Sequence, residues 1–154
     1  QRLDQQYPKK HKVVNASVSG ETTSGALARL PKLLQTYQPE IVVIELGGND
    51  GLRGQPPQMI QKNLAQLVQL SQKQKANVLL FGIKIPPNYG TAYSTAFENN
   101  YKVVSQQFKI KLLPFFLEGV AGHKHLIQND QIHPNAKAQP ILLNLAYPYI
   151  KGAL

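Results

Sequence analysis

The sequence predicts an α/β domain built on a parallel sheet, and three observations carry that prediction. Apolar runs of strand length recur at 41–46, 78–85 and 110–116. Apolar residues at helical spacing fill the intervals between them. Proline and glycine cluster where one pattern gives way to the next. With 154 residues, 42% hydrophobic and 16% charged, the chain has enough material for one core and hardly for two, so 1–154 is expected to be a single domain without repeat or linker.

Val13 and Val14 open a β-branched run that ends in the Ser- and Gly-containing stretch Asn15 to Gly20, which reads as a strand entering a loop. Thr22, Thr23 and Ser24 then offer N-caps to a helix carrying Leu27, Leu30, Leu33 and Leu34, closed by Pro39. Ile41 to Leu46, stopped by Gly47 and Gly48, has the pattern of a parallel strand buried on both faces. Pro56 and Pro57 introduce a helix with the stripe Ile60, Leu64, Leu67 and Val68. Val78 to Ile85 repeats the buried-strand pattern and is broken by Pro86 and Pro87. Tyr93, Phe97, Tyr101 and Val104 mark the next helix, and Ile110 to Phe116 supplies a last strand and turn. Ala138, Ile141, Leu142 and Leu145 suggest a closing helix in which Pro140 either makes a kink or occupies the first turn.

Composition narrows the function classes. No apolar run approaches the roughly 20 residues of a membrane-spanning helix, so no stable membrane insertion is expected. Absence of cysteine excludes disulfides, thiolate zinc sites and a cysteine nucleophile. The net charge of +9 would attract anionic lipid surfaces, acyl-CoA-like substrates or nucleic acid, yet the basic residues are scattered apart from Lys9, Lys10, His11 and Lys12. A solvated basic surface is the expectation, with no nucleic-acid partner. The first residues show neither an initiator Met nor a signal pattern, so a segment is expected to precede Gln1.

In parallel α/β folds ligands bind outside the carboxyl ends of the strands, which selects Ser17 to Thr23, Gly47 to Gly54 and Ile85 to Thr91, joined by Asn129 to Asn135. Asp130 stands three residues before His133. A carboxylate so placed can fix the imidazole tautomer and stabilise its protonated form, the base half of a hydrolase triad, or it can simply cap a turn beside a surface histidine. Asn49, in Gly47-Gly48-Asn49-Asp50-Gly51, offers a neutral amide to an oxyanion, or belongs to an ordinary turn. Gly20 offers a backbone N–H at a strand-to-helix loop, or relieves a tight turn. His123 and His125 are expected to decorate an exposed loop, because so few ligands make a poor metal site.

In order and context these segments resemble the SGNH (GDSL) hydrolase family, near its thioesterase I, lysophospholipase L1 and arylesterase branch. Val13 to Thr22 resembles the second block, with Gly20 at its glycine, although Glu21 stands where aspartate is commoner. Glu45 to Gly54 resembles the third, with Asn49 at its asparagine, and Asp130 to Asn135 the fifth, with its D-x-x-H pair. Ile85-Pro86-Pro87-Asn88-Tyr89-Gly90 and Leu113-Pro114-Phe115-Phe116 are also similar to segments of this branch.

The resemblance implies a three-layer α/β/α sandwich with a flavodoxin-like sheet and a Ser-His-Asp ester hydrolase acting on acyl esters and thioesters. It implies no metal or organic cofactor, and often export to the periplasm. Asp130 and His133 would be the base pair, Gly20 and Asn49 the oxyanion donors. Leu52, Ile83, Ile85, Pro86 and Ile132 are candidate walls for the acyl chain, with core packing the alternative for Ile83. The first block, Gly-Asp-Ser-Leu, is not among these residues: the serines are Ser17, Ser19, Ser24, Ser71, Ser94 and Ser105, none in such a motif. The nucleophile and the first strand are therefore expected upstream, the chain alone is expected to be inactive, and strand donation from another chain is a possible remedy. A non-catalytic ligand-binding domain on the same fold and a basic nucleic-acid-binding module are the rival readings.

Overall fold

The computed structural model describes residues 2–8, 10–130 and 132–154. Lys9 of the basic cluster, Gln1 and Gln131 of the Asp130–His133 segment lie outside the described residues. A short helix α1 (Arg2–Gln6) precedes α2 (Thr23–Tyr37), β1 (Ile41–Ile44), α3 (Gly48–Leu52), α4 (Pro57–Lys73), β2 (Asn77–Phe81), α5 (Thr91–Phe108), β3 (Lys111–Leu113) and α6 (Gln139–Lys151). The strands form a parallel sheet in the order β1-β2-β3, with Val43 opposite Leu79 and Leu80 opposite Leu112.

Side-chain alternation along the central strand divides the core. Val78 and Leu80 point into a cluster with Ile44, Ile60, Leu64, Leu67, Val68, Phe97 and Val104, so α4 and α5 cover that face. Leu79 and Phe81 point the other way, onto Leu113 and Ala146 of α6. The layers are helix, sheet, helix, as the alternation of patterns predicts. Thr22 caps α2, its side chain accepting from the N–H of Gly25, and Pro140 sits in the first turn of α6.

Three local expectations are corrected. Val13 and Val14 form no strand: 11–18 is irregular, and Val13 is 71% exposed, because among the described residues no neighbouring strand offers it a ladder. The run Ile41 to Leu46 is a strand only to Ile44, and it is not buried on both faces. Val43 shares the face of Leu79 but lies beyond the cover of α6 and is 44% exposed. The stretch Gly47 to Gly54 is not all loop. Gly47, at φ 108°, reverses the chain so that its carbonyl accepts from Gly51 N–H at 2.9 Å, starting α3.

Candidate active site

The carboxyl ends of β1 and β2 and the loops beyond β3 gather the candidate residues. Between β3 and α6, Ile127 and Pro134 form an antiparallel bridge, and Gln128 N–H donates to His133 O at 2.7 Å. This narrow hairpin carries Asp130. Its Oδ1 accepts from the N–H groups of Ile132 and His133, each at 3.0 Å, while Oδ2 lies 2.7 Å from His133 Nδ1. One carboxylate thus both shapes the turn and holds the ring, so the two sequence readings of Asp130 describe different oxygens of the same group. The backbone N–H of His133, then that of Ile132, then the ring hold Asp130 down to about 2. His133 is 64% exposed in its side chain, and among the described residues nothing hydrogen-bonds to its Nε2.

The second assembly joins the end of β1 to the start of α2. Asn49 spends one amide proton on Glu21 O at 2.9 Å, which fixes its plane and leaves the other proton for a ligand. Gly20, at φ 72°, has an exposed N–H that no described residue accepts, and its carbonyl receives Arg53 Nη2 at 3.4 Å. Glu21 in turn accepts from Arg29 Nε at 2.8 Å, and Arg29 Nη2 reaches Ala16 O at 3.1 Å, tying the 16–21 segment down on α2. A side chain at Gly25 would strike the Glu21 carboxylate, so that glycine makes room for the tie.

Glu45, just beyond β1, lies within electrostatic reach of His133. Desolvation among its neighbours pushes its carboxyl up to about 7, and the His133 ring nearby pulls the other way. Tyr101 lies buried behind it, donating to Leu46 O at 2.8 Å, and burial first, then Glu45 and Asp50, push its phenol well above the usual range.

The candidate acyl-chain walls separate. Ile85 is buried, with a methyl 2.8 Å from where a Gly51 β carbon would sit, and Ile83 is half-buried beneath Gly48. Leu52 is half-buried, its carbonyl held by the Tyr89 hydroxyl at 2.9 Å. Pro86 and Ile132 are exposed on different loops. Two surface grooves, of about 410 Å³ along α2 and about 280 Å³ at the opposite end of the sheet, lie away from all of these. His123 and His125 are exposed with ring centroids 5.8 Å apart, and among the described residues no three metal-binding side chains converge.

Sequence reasoning passed over Glu45, Tyr101 and the buried pair Asp50 and Thr23. A signal for the last existed: Asn63 interrupts the apolar stripe of α4 at an inward position, and a polar residue there needs a buried partner.

Residues 1–140 match the GDSL-like lipase/acylhydrolase family. Esterase TesA of Pseudomonas aeruginosa is 53% identical over 144 residues, covering 94% of this chain and 72% of that protein. Thioesterase 1/protease 1/lysophospholipase L1 of Escherichia coli K12 is 46% identical over 140 residues, covering 91% of this chain and 67% of that protein. A crystal structure of TesA superposes with a TM-score of 0.95 at 51% identity, covering 99% of this chain and 84% of that one.

Proposed function

The chain belongs to the GDSL-like lipase/acylhydrolase family, and from that premise we propose that it supplies the base and the oxyanion site of a serine hydrolase of acyl esters and thioesters. The observation that carries the reading is the 2.7 Å contact of Asp130 Oδ2 with His133 Nδ1, which leaves Nε2 available as the base. Among the described residues no serine hydrogen-bonds to His133. Ser71 and Ser105 donate to carbonyls of their own helix, Ser24 receives Asn63, and the hydroxyl oxygen of half-buried Ser94 is shielded from solvent on α5. The nucleophile in this reading is a serine outside these 154 residues, on a strand along the edge of β1, where Val43 is exposed.

The chemistry then runs in two halves. His133 Nε2 takes the serine proton as Oγ attacks the acyl carbon, and Asp130 stabilises the imidazolium. The carbonyl oxygen becomes an oxyanion that Gly20 N–H and the spare proton of Asn49 Nδ2 receive. Collapse expels the alcohol or thiol, which takes the proton from His133, and water then releases the acid by the same steps. No step asks for a metal or an organic cofactor. Leu52, Ile83 and Ile132, which keep exposed surface and adjoin Asn49 or His133 in sequence or, for Ile83, pack under Gly48, would meet the acyl chain.

Labelling with a serine-reactive fluorophosphonate tests the proposal. The 154-residue chain should remain unlabelled, and a chain extended upstream should label and hydrolyse short acyl esters. An extended chain that carries a serine on the first strand and stays unlabelled would leave a non-catalytic binding domain instead. Fractionation of the producing cell tests the periplasmic or secreted location that belongs to the same reading.

A further inference from the structure

The oxyanion reading leaves a buried carboxyl without a task, that of Asp50, which is 1% exposed. Among the described residues no lysine, arginine or histidine pairs with it. Its partners all come from the start of α2: Oδ2 accepts from Thr23 N–H at 2.9 Å and Oδ1 from the Thr23 hydroxyl at 2.6 Å. Asn63 of α4 completes the chain, its Nδ2 donating to Thr23 Oγ1 at 2.9 Å and to Ser24 Oγ at 3.0 Å.

We propose that Asp50 is the positioning residue of the oxyanion site, clamping α3, which presents Asn49, onto the start of α2, which follows the turn that presents Gly20, through the relay Asn63–Thr23–Asp50. The inference rests on the oxyanion reading above. Gly20 and Asn49 are 29 positions apart, one in the turn before α2 and the other in α3, so their two donors share a target only if those segments share a frame. Asp50 is covalently next to Asn49, and Thr23 follows Gly20 by three residues. Two other polar ties join the Asn49 segment to that loop: Asn49 Nδ2 on Glu21 O, which uses the catalytic amide itself, and Arg53 Nη2 on Gly20 O at a long 3.4 Å from an exposed side chain.

The relay explains why the residue is a carboxylate. Thr23 Oγ1 already accepts from Asn63, so its proton must go to a group that only accepts, and the second carboxylate oxygen must accept again from Thr23 N–H. An asparagine at position 50 would turn an NH2 toward one of these donors and leave a buried proton unpaired. Asp50 therefore shapes the transition-state site without touching the substrate.

The test uses the full-length enzyme with p-nitrophenyl butyrate, with kcat expressed per fluorophosphonate-titrated site so that unfolded protein does not count. Asp50→Asn should lower kcat about 10- to 100-fold with KM within about twofold, the pattern of a lost transition-state contact. Combined with Asn49→Ala it should cost less than the product of the two single losses, since a misplaced amide has less to lose. Should Asp50→Asn fail to fold, Thr23→Val carries the same expectation, and Thr23→Ser, which keeps the hydroxyl, should retain most of the rate that Thr23→Val loses. Unchanged kcat per site, a rise in KM alone, or fully multiplicative losses would overturn the role. If Asn49→Ala by itself leaves kcat intact, the oxyanion reading fails and takes this inference with it. If Asn49→Ala costs about 10²–10³ and Asp50→Asn nothing, only the positioning role fails.

Discussion

Asp130 divides its oxygens between making a turn and holding an imidazole, and the first job makes the second dependable. Asp130→Asn in the full-length enzyme should leave the turn, since an amide oxygen still accepts from Ile132 and His133, while presenting an NH2 to Nδ1 and so favouring the wrong tautomer. The expected result is a loss of kcat on the order of 10³–10⁴ with KM little changed, read from steady-state ester hydrolysis. Held down to about 2, Asp130 stays ionised through the ordinary working range, so no loss of rate on its account is expected above about pH 4. Glu45 acts in the opposite sense. Its carboxyl is raised from 4.5 to about 7, so the folded chain holds this proton more tightly than the unfolded one. The stability it contributes is present in full below pH 4.5 and lost as pH rises through about 7. Because Glu45 keeps an exposed side, solvent screening reduces the size of the effect, not its sign. Urea midpoints at pH 5 and pH 8 should differ less in Glu45→Gln than in the parent chain. The spacing D-x-x-H made the Asp130 and His133 pair legible in the sequence. Nothing local marks Glu45, whose shift comes from neighbours brought together by folding.

At the scale of elements, the long helices were legible because their signals are local. Ile60, Leu64, Leu67 and Val68 recur at helical spacing and all are buried in α4. Short elements were not. Val13 and Val14 have strand composition, yet a strand exists only where a neighbour completes its ladder. Conversely, Gly48 to Leu52 reads as a loop and forms α3, because Gly47 reverses the chain and the peptide carbonyls then find donors four residues on. Gly47 is also bound by tertiary contact: a β carbon there would lie 2.5 Å from the Tyr101 hydroxyl. Gly47→Ala should cost the backbone strain of about 1–3 kcal/mol and the displacement of Tyr101 from Leu46 O as well. Gly54, at φ 66° with open space around it, bears only the strain, so Gly54→Ala should cost visibly less in the same denaturation experiment.

For the whole molecule, we take 1–154 as one folding unit whose sheet is finished on the α4 and α5 face and unfinished along β1. Val43 of β1 meets water at 44% exposure, as do Val13 and Val18 of the irregular stretch at 71% and 51%, and a further strand along β1 would cover Val43. The isolated chain should therefore be marginally stable or prone to associate, and circular-dichroism melting at several protein concentrations checks this. A monomeric, cooperative transition above about 45 °C would contradict it. The sequence by itself determined the alternation of strand and helix, the two buried faces of β2, the cap of α2 and the residue types we propose for a base and an oxyanion site, since periodicity, capping and short motifs are written within a few residues. Only the tertiary structure decided that Asn49 reaches Glu21, that Asp50 is sealed against Thr23, that Glu45 lies near His133 and that Val13 has no ladder to join. Those facts depend on loops meeting at the end of a parallel sheet, where contacts join residues tens of positions apart and no local pattern records them.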